Sequence, residues 1–197
     1  MPHGADITFF RKDSGMKTDA RVRYTKKVLR ESLFQCLKKK GSLKAVTVKE
    51  VCELADLNRP TFYRHYKDCF DLVEQLENEE IQEFREIFEN GEDTFSRNFA
   101  VGIVDLLNKY DDLIEAYADG SIDGNLKEKM VQAAYELCIG SWKEHLPKGK
   151  EQEIEMLFSA ASASFFQLVI TERGKRPVEE TLAFMYKFLR SGLQQFL

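Results

Sequence analysis

The ten residues from Asn58 to Lys67 are rich in side chains that bind polyanions. They read Asn-Arg-Pro-Thr-Phe-Tyr-Arg-His-Tyr-Lys and include two arginines, a lysine, a histidine and no acidic residue. Arginine makes bidentate contacts to guanine edges, while tyrosine, histidine and threonine suit phosphate oxygens or a thymine methyl group. An ordinary solvated helix mixes charges of both signs, so this composition favours contact with a nucleic acid.

The preceding residues predict two helices and a corner. Val28, Leu29, Leu33, Cys36 and Leu37 recur at helical spacing in a first helix that is predicted from about Ala20 to Gly41. Thr47-Val48-Lys49-Glu50 has the form of a capping box, so a second helix begins there and ends at Asp56-Leu57-Asn58.

A third helix is predicted to begin after Asn58, which is a favourable N-cap, and to run to about Tyr66. Pro60 falls in its first turn, where a missing N–H costs nothing. Phe62 and Tyr66 are four residues apart and therefore face inward, which turns the basic residues outward. Two short helices joined at a corner and packed on a longer first helix have the pattern of a helix-turn-helix unit.

The segment Thr47-Val48-Lys49-Glu50-Val51, followed by the run from Ala55 to Asp68, resembles the DNA-binding signature of TetR-type transcriptional regulators. The resemblance covers about residues 23–75, and Thr61-Phe62-Tyr63 with His65-Tyr66 is its most specific part. It implies a homodimer that places two third helices in successive major grooves of a palindromic DNA operator. It also implies a larger helical domain that binds a small-molecule effector.

Site residues follow from this resemblance together with the chemistry of the side chains. Base edges are the expected targets of Arg59, Thr61 and Arg64, and Lys49 is expected to reach them from the second helix. Pro60, in the first turn of the third helix, is also counted among the DNA-binding residues. Phosphates are the expected targets of Thr47, Tyr63, His65 and Lys67. Family members commonly carry a lysine where this chain has Cys69, so one phosphate contact is missing and Lys67 is the nearest substitute.

The predicted fold class is all-α with about nine helices. Residues 1–19 are expected to form a flexible N-terminal arm, 20–67 the helix-turn-helix domain, and 68–197 the helical domain for effector binding and dimerisation. Charge follows the same division: residues 1–70 contain 16 Lys and Arg against 8 Asp and Glu, whereas the remainder contains 13 against 25. A basic first third and an acidic remainder indicate that one part faces a polyanion.

The last two predicted helices suggest a dimer interface, where the resemblance also places it. Ser159-Ala160-Ala161-Ser162-Ala163-Ser164 permits close approach of another backbone, and the next helix carries an apolar stripe. The alternative is burial within one chain. Predicted interface residues are Ala160, Ala163, Leu182, Met185, Tyr186, Leu189 and Leu193. Effector-binding residues are not assigned.

Other functional classes have little support. The sequence contains no phosphate-binding glycine loop, no nucleophile elbow and no His-Glu-x-x-His segment, so an enzyme is disfavoured and no catalytic residue, metal or cofactor is expected. Four cysteines without a Cys-x-x-Cys pair indicate reduced thiols and a cytoplasmic protein, and no apolar stretch is long enough to span a membrane. The expected function is a DNA-binding regulator, acting as a repressor. The alternative is a TetR-like coactivator that works mainly through a protein partner.

Overall fold

A computed structural model of the chain describes residues 13–89, 97–142, 148–172, 175 and 177–193. Within these ranges the chain is all-α, as predicted, with nine α-helices and no β-strand. The helices are α1 (Asp13–Lys40), α2 (Val48–Leu54), α3 (Arg59–Tyr63), α4 (Cys69–Glu89), α5 (Arg97–Lys109), α6 (Asp111–Ala118), α7 (Leu126–Trp142), α8 (Glu151–Thr171) and α9 (Val178–Leu193). A short 3-10 helix at Leu43–Ala45 lies between α1 and α2.

The start of α1 differs from the sequence prediction. The helix begins at Asp13 rather than near Ala20, so residues 13–19 are helical and do not belong to an arm. Residues 13–19 have no apolar periodicity in the sequence, which is why the pattern missed them. The remainder of the predicted arm, residues 1–12, lies outside the described residues.

The end of α3 also differs. The helix ends at Tyr63 instead of near Tyr66, and Arg64 forms its C-cap. His65 and Tyr66 both donate their backbone N–H to the Phe62 carbonyl, at 2.9 and 3.0 Å, which tightens the last turn. Lys67 N–H then donates to Asp71 Oδ2 at 2.7 Å, so the chain leaves the helical path there.

The chain divides into two compact units, with the boundary between Leu72 and Val73. The sequence predicted the boundary at residue 68, before α4, whereas it falls inside that helix. Cys69 and Leu72, in the first turn of α4, are fully buried residues that belong to the first unit, which explains the difference.

The first unit packs α2 against both α1 and α3. Its core uses the inward stripe predicted from the sequence, because apolar side chains recur at helical spacing on each element. Burial of one such phenylalanine or leucine stabilises the folded state by about 1.5–3 kcal/mol. The most deeply buried side chains are those of Leu29, Leu33, Leu37, Val51, Phe62 and Leu72.

The second unit is a helical assembly in which α8 contacts α6, α7 and α9, while α5 contacts α6 and α9. The part of α4 that belongs to this unit, from Val73 onward, is linked to α5 and α7 by ion pairs. Lys109 Nζ lies 2.6 Å from Glu83 Oε1, and Arg85 Nη2 lies 2.6 Å from Glu136 Oε2. Gly102 permits close approach of α5 to α4, because a Cβ atom there would lie 3.1 Å from Ile87 Cγ2.

Candidate functional site

The N-terminus of α2 is held by the predicted capping box. Thr47 Oγ1 accepts from Glu50 N–H at 3.3 Å, and Glu50 Oε2 accepts from Thr47 N–H at 3.1 Å and from the Thr47 hydroxyl at 2.7 Å. Both hydrogen-bond donors of Thr47 therefore point at Glu50. This geometry gives Thr47 a helix-capping role and leaves no donor for the phosphate contact expected from the sequence.

The corner between α2 and α3 is set by a residue with a left-handed backbone. Asp56 has φ of 52°, and Leu57 N–H turns back to the Cys52 carbonyl at 2.9 Å. Asn58 then caps α3 as predicted: its Oδ1 accepts from Thr61 N–H at 2.9 Å. Aspartate tolerates the left-handed region better than most residues because its short polar side chain can bond locally.

The two faces of α3 are separated as the sequence predicted. Phe62 and Tyr66 are buried, with ring centroids 5.6 Å apart. Tyr63 keeps 56% of its surface exposed although its ring packs edge-on against Phe62. The predicted site residues Arg59, Pro60, Arg64 and Lys67 are also exposed, whereas Thr61 and His65 are half-buried.

Thr61 links the start of α3 to Arg64. Its hydroxyl donates to Asn58 Oδ1 at 2.7 Å and accepts from Arg64 Nη2 at 2.9 Å. The hydroxyl thus orients the guanidinium along the exposed face of the helix, and the threonine methyl group is the part that can meet a base.

Lys26 on α1 is a basic residue that the site prediction missed. Burial lowers the pKa of His65, and the positive charges of Lys26 and Arg64 lower it further. His65 is therefore mainly neutral at pH 7 and would meet a phosphate as a polar group rather than as a cation. The signal in the sequence was the basic series on α1, from Arg21 to Arg30, to which no role was assigned.

On α2, the predicted contact residue Lys49 is exposed but pairs with an acidic neighbour. Its Nζ lies 3.7 Å from Glu53 Oε1, and both side chains are more than half exposed. Such an exposed pair contributes little to stability, so DNA could compete for the lysine at small cost.

Cys69 is buried at the start of α4. Burial raises the pKa of its thiol to about 12, and the charge of Asp68 adds to the effect. The thiol cannot supply the missing phosphate contact. Lys67, the substitute expected from the sequence, is exposed.

A second candidate surface lies on α8 and α9, where apolar side chains face outward. Phe184 and Phe188 are 68% and 64% exposed, and Leu157 is exposed on α8. They border a groove of about 450 Å³ that Ala160 and Met185, two predicted interface residues, also line. Monomeric soluble proteins rarely expose such contiguous apolar patches, so this surface is a candidate interface.

The predicted interface list needs correction at this surface. Leu182 is buried inside the second unit and has almost no surface to offer a partner, and Ala163 is half-buried. Side chains of Tyr186, Leu189 and Leu193 lie outside the described part. The exposed Phe184 and Phe188 were missed, although their four-residue spacing places them on one face of α9.

Within the described ranges, no three His, Cys, Asp or Glu side chains come together as a metal site. No helix there has both the length and the apolarity needed to cross a membrane. Comparisons of the chain with models of protein families, with curated proteins and with solved structures return no match.

Proposed function

We propose that this chain is a TetR-type transcriptional repressor that binds a palindromic operator as a homodimer and responds to a small-molecule effector. The observation that carries the proposal is the exposed face of α3. Arg59 and Tyr63 on α3, its C-cap Arg64 and Lys67 just beyond it are all exposed with no acidic residue among them, while Phe62 and Tyr66 are buried in the core.

This face has the parts that reading of DNA requires. An α-helix fits the major groove, and two arginines on its exposed side suit guanine O6 and N7. Tyr63 and Lys67 suit the flanking phosphates, which fix register without reading sequence. The Lys26 charge near His65 extends the basic surface from α3 to α1.

A helix as short as α3 makes too few contacts for tight binding by itself. Two copies that read half-sites about 34–36 Å apart combine their energies and set the spacing. For this reason we assign the apolar face of α8 and α9 to a second copy of the chain. Phe184, Phe188 and Leu157 would then be buried, and Ala160 would allow close approach of the partner helix.

The test is selection of bound genomic fragments, followed by fluorescence anisotropy on the recovered sequence at 50–200 mM salt. If each dimer neutralises about six phosphates, affinity falls by roughly a thousandfold across this range. The double variant Arg59→Ala, Tyr63→Ala should lose specific binding with unchanged helicity. Lys175→Ala, which removes one exposed charge from the second unit, is the matched control and should bind normally.

One observation favours a different function, a coactivator that acts through a protein partner. Both hydrogen-bond donors of Thr47 are used in the cap of α2, so the phosphate contact expected from Thr47 has no donor, and the buried Cys69 offers no positive charge at the start of α4. Flat salt dependence would contradict the DNA-binding proposal and support this alternative. A folded double variant that binds the operator normally would instead show that the assignment of Arg59 and Tyr63 to the DNA-binding site is wrong.

A further inference from the structure

The N-terminal half of α1 carries a row of positive charges. Five basic residues lie in the segment from Ala20 to Arg30, and no acidic residue lies among them. Four of the five recur at intervals of three and four residues, so they share one face of the helix. We call this face the basic stripe, and its residues are Arg23, Lys26, Lys27 and Arg30.

The basic stripe is accessible to a partner. Two of its residues, Arg23 and Lys27, are exposed, and the other two are half-buried. The Arg30 guanidinium carbon lies 5.9 Å from the centre of the Phe34 ring, which holds this side chain along the helix. Lys27 Nζ lies 3.8 Å from Glu31 Oε1, and both side chains are more than half exposed. Such an exposed pair is weak, so a polyanion can displace the glutamate at small cost.

The basic stripe lies beside the end of α3. Towards the C-terminus of α1 the same face continues with Leu33 and Leu37, which are buried in the core of the first unit. Burial lowers the pKa of His65, and the positive charges of Lys26 and Arg64 lower it further. His65 therefore has one cation of α1 and one of the α3 end close to it. The stripe and the exposed basic residues of α3 form one surface.

A polyanion with regularly spaced charges fits this stripe better than a membrane does. Arg23 and Arg30 are seven residues apart, which is about 10 Å along the helix axis. Each strand of B-DNA carries one phosphate per about 3.4 Å of its axis, so the row spans about three phosphates. A lipid surface requires an apolar face that inserts beside the charges, whereas Leu29 and Leu33 of α1 are fully buried.

We propose that the basic stripe of α1 is a second DNA contact surface, which binds the phosphate backbone beside the bases that α3 reads. The inference rests on the proposed function and adds a role for α1 to it. Phosphate contacts fix position and register but carry no sequence information. The stripe therefore supplies affinity and salt dependence, while α3 supplies discrimination among sequences.

The experiment compares two double variants by fluorescence anisotropy, on the operator recovered by genomic selection and on a scrambled duplex of the same length and composition. Arg23→Ala, Lys27→Ala removes two exposed charges from the stripe. Arg21→Ala, Lys39→Ala is the matched control, because it removes one arginine and one lysine from exposed positions on nearly the opposite side of α1. Alanine favours the helix at all four positions, so both variants should keep the circular dichroism spectrum of the wild type.

The stripe variant should bind the operator at least about tenfold more weakly than the wild type at 150 mM salt. The slope of log affinity against log salt should become shallower by about two to four, because each lost phosphate contact removes roughly one and the dimer has two stripes. The ratio of affinities for the operator and the scrambled duplex should stay within about twofold of the wild-type ratio. Ethylation of particular phosphates in each half-site should weaken binding of the wild type and the control but not of the stripe variant.

Equal loss of affinity in the stripe variant and the control would overturn the inference, because a general loss of positive charge would then explain it. Wild-type chain that binds phosphatidylserine vesicles but neither duplex would also overturn it. The two proposals fail in different ways. Wild-type affinity and salt slope in the stripe variant would contradict this inference alone. Equal affinity of the wild type for the operator and the scrambled duplex, with a loss in the stripe variant, would contradict the proposed function alone.

Discussion

Arg64 donates a hydrogen bond from its Nη2 to the Thr61 hydroxyl, 2.9 Å away and three residues earlier in the chain. Because that hydroxyl also donates to the N-cap residue Asn58, the cap of α3 and an arginine proposed to read DNA belong to one network. Local helix capping and side-chain orientation thus depend on the same oxygen atom.

Thr61→Val keeps the shape of the side chain and its methyl group but removes the shared oxygen. The free energy of unfolding should fall by about 0.5–1.5 kcal/mol, the usual net value of a hydrogen bond. Operator affinity should fall by about three- to tenfold, because the guanidinium loses its orientation. Thr61→Ser restores the oxygen without the methyl group, so it should recover the free energy of unfolding and, in anisotropy measurements, bind more tightly than Thr61→Val; a serine variant as unstable as the valine variant would contradict the role of the hydroxyl.

Glu50 makes the first unit sensitive to acid. A hydrogen bond from Lys40 lowers the pKa of Glu50 to about 2, and those from the Thr47 side chain and backbone add to the effect. The folded pKa is below the unfolded value of about 4.3, so the stabilisation is present above pH 4.3 and is lost as pH falls towards 2. Urea melts between pH 6 and pH 2 should show a smaller loss of stability for Glu50→Gln than for the wild type. Because the ion pair between Lys40 and Glu50 is partly exposed, the difference between the two proteins should shrink in 1 M salt. Parallel plots of stability against pH for the wild type and Glu50→Gln would contradict the prediction.

Asp56 occupies the left-handed region at the corner, where branched side chains are strained. Asp56→Val should destabilise the protein by about 1–2 kcal/mol, measured as the free energy of unfolding in urea. Asp56→Gly removes the Cβ clash but gains freedom in the unfolded chain, so it should stay within about 0.5 kcal/mol of the wild type. A valine variant as stable as the glycine variant would show that the corner relaxes.

Cys69 should be chemically inert in the folded protein. Burial raises the pKa of its thiol to about 12, and burial also raises the pKa values of Cys36 and Cys52. The thiolate is the reactive form, so iodoacetamide at pH 8 should modify these thiols at least about a hundredfold more slowly than in urea. Mass spectrometry of the digested protein measures each site; rapid native labelling of Cys69 would show that the first turn of α4 opens readily.

Phe188→Glu should dissociate the proposed homodimer. The substitution places a charge on the exposed apolar face of α9, where the dimer would bury it without a partner. Sedimentation velocity should show a dimer for the wild type and a monomer for the variant at the same concentration. Phe70→Glu, at a half-exposed phenylalanine of the first unit, is the control that should remain dimeric. A Phe188→Glu dimer would exclude this face as the interface.

Sequence alone predicted those features that depend on neighbours three or four residues away. The capping box of Thr47 and Glu50, the Asn58 cap and the burial of Phe62 and Tyr66 are all found where the sequence placed them. Helix caps and helical faces arise from contacts within about one turn, so the order of residues contains them. The predicted end of α3 was wrong because the Lys67 N–H donates its hydrogen bond to Asp71, in the next helix, and not to a carbonyl of α3.

Tertiary structure alone decided which side of each apolar helix is covered. Sequence could not show that Leu182 is buried while Phe184 and Phe188 face outward, because α9 carries apolar residues on more than one face. It could not bring Lys26 near His65, nor place the Glu80 carboxyl in a cavity with Phe166. These relationships join residues far apart in the chain, and only the packing of one helix against another determines them.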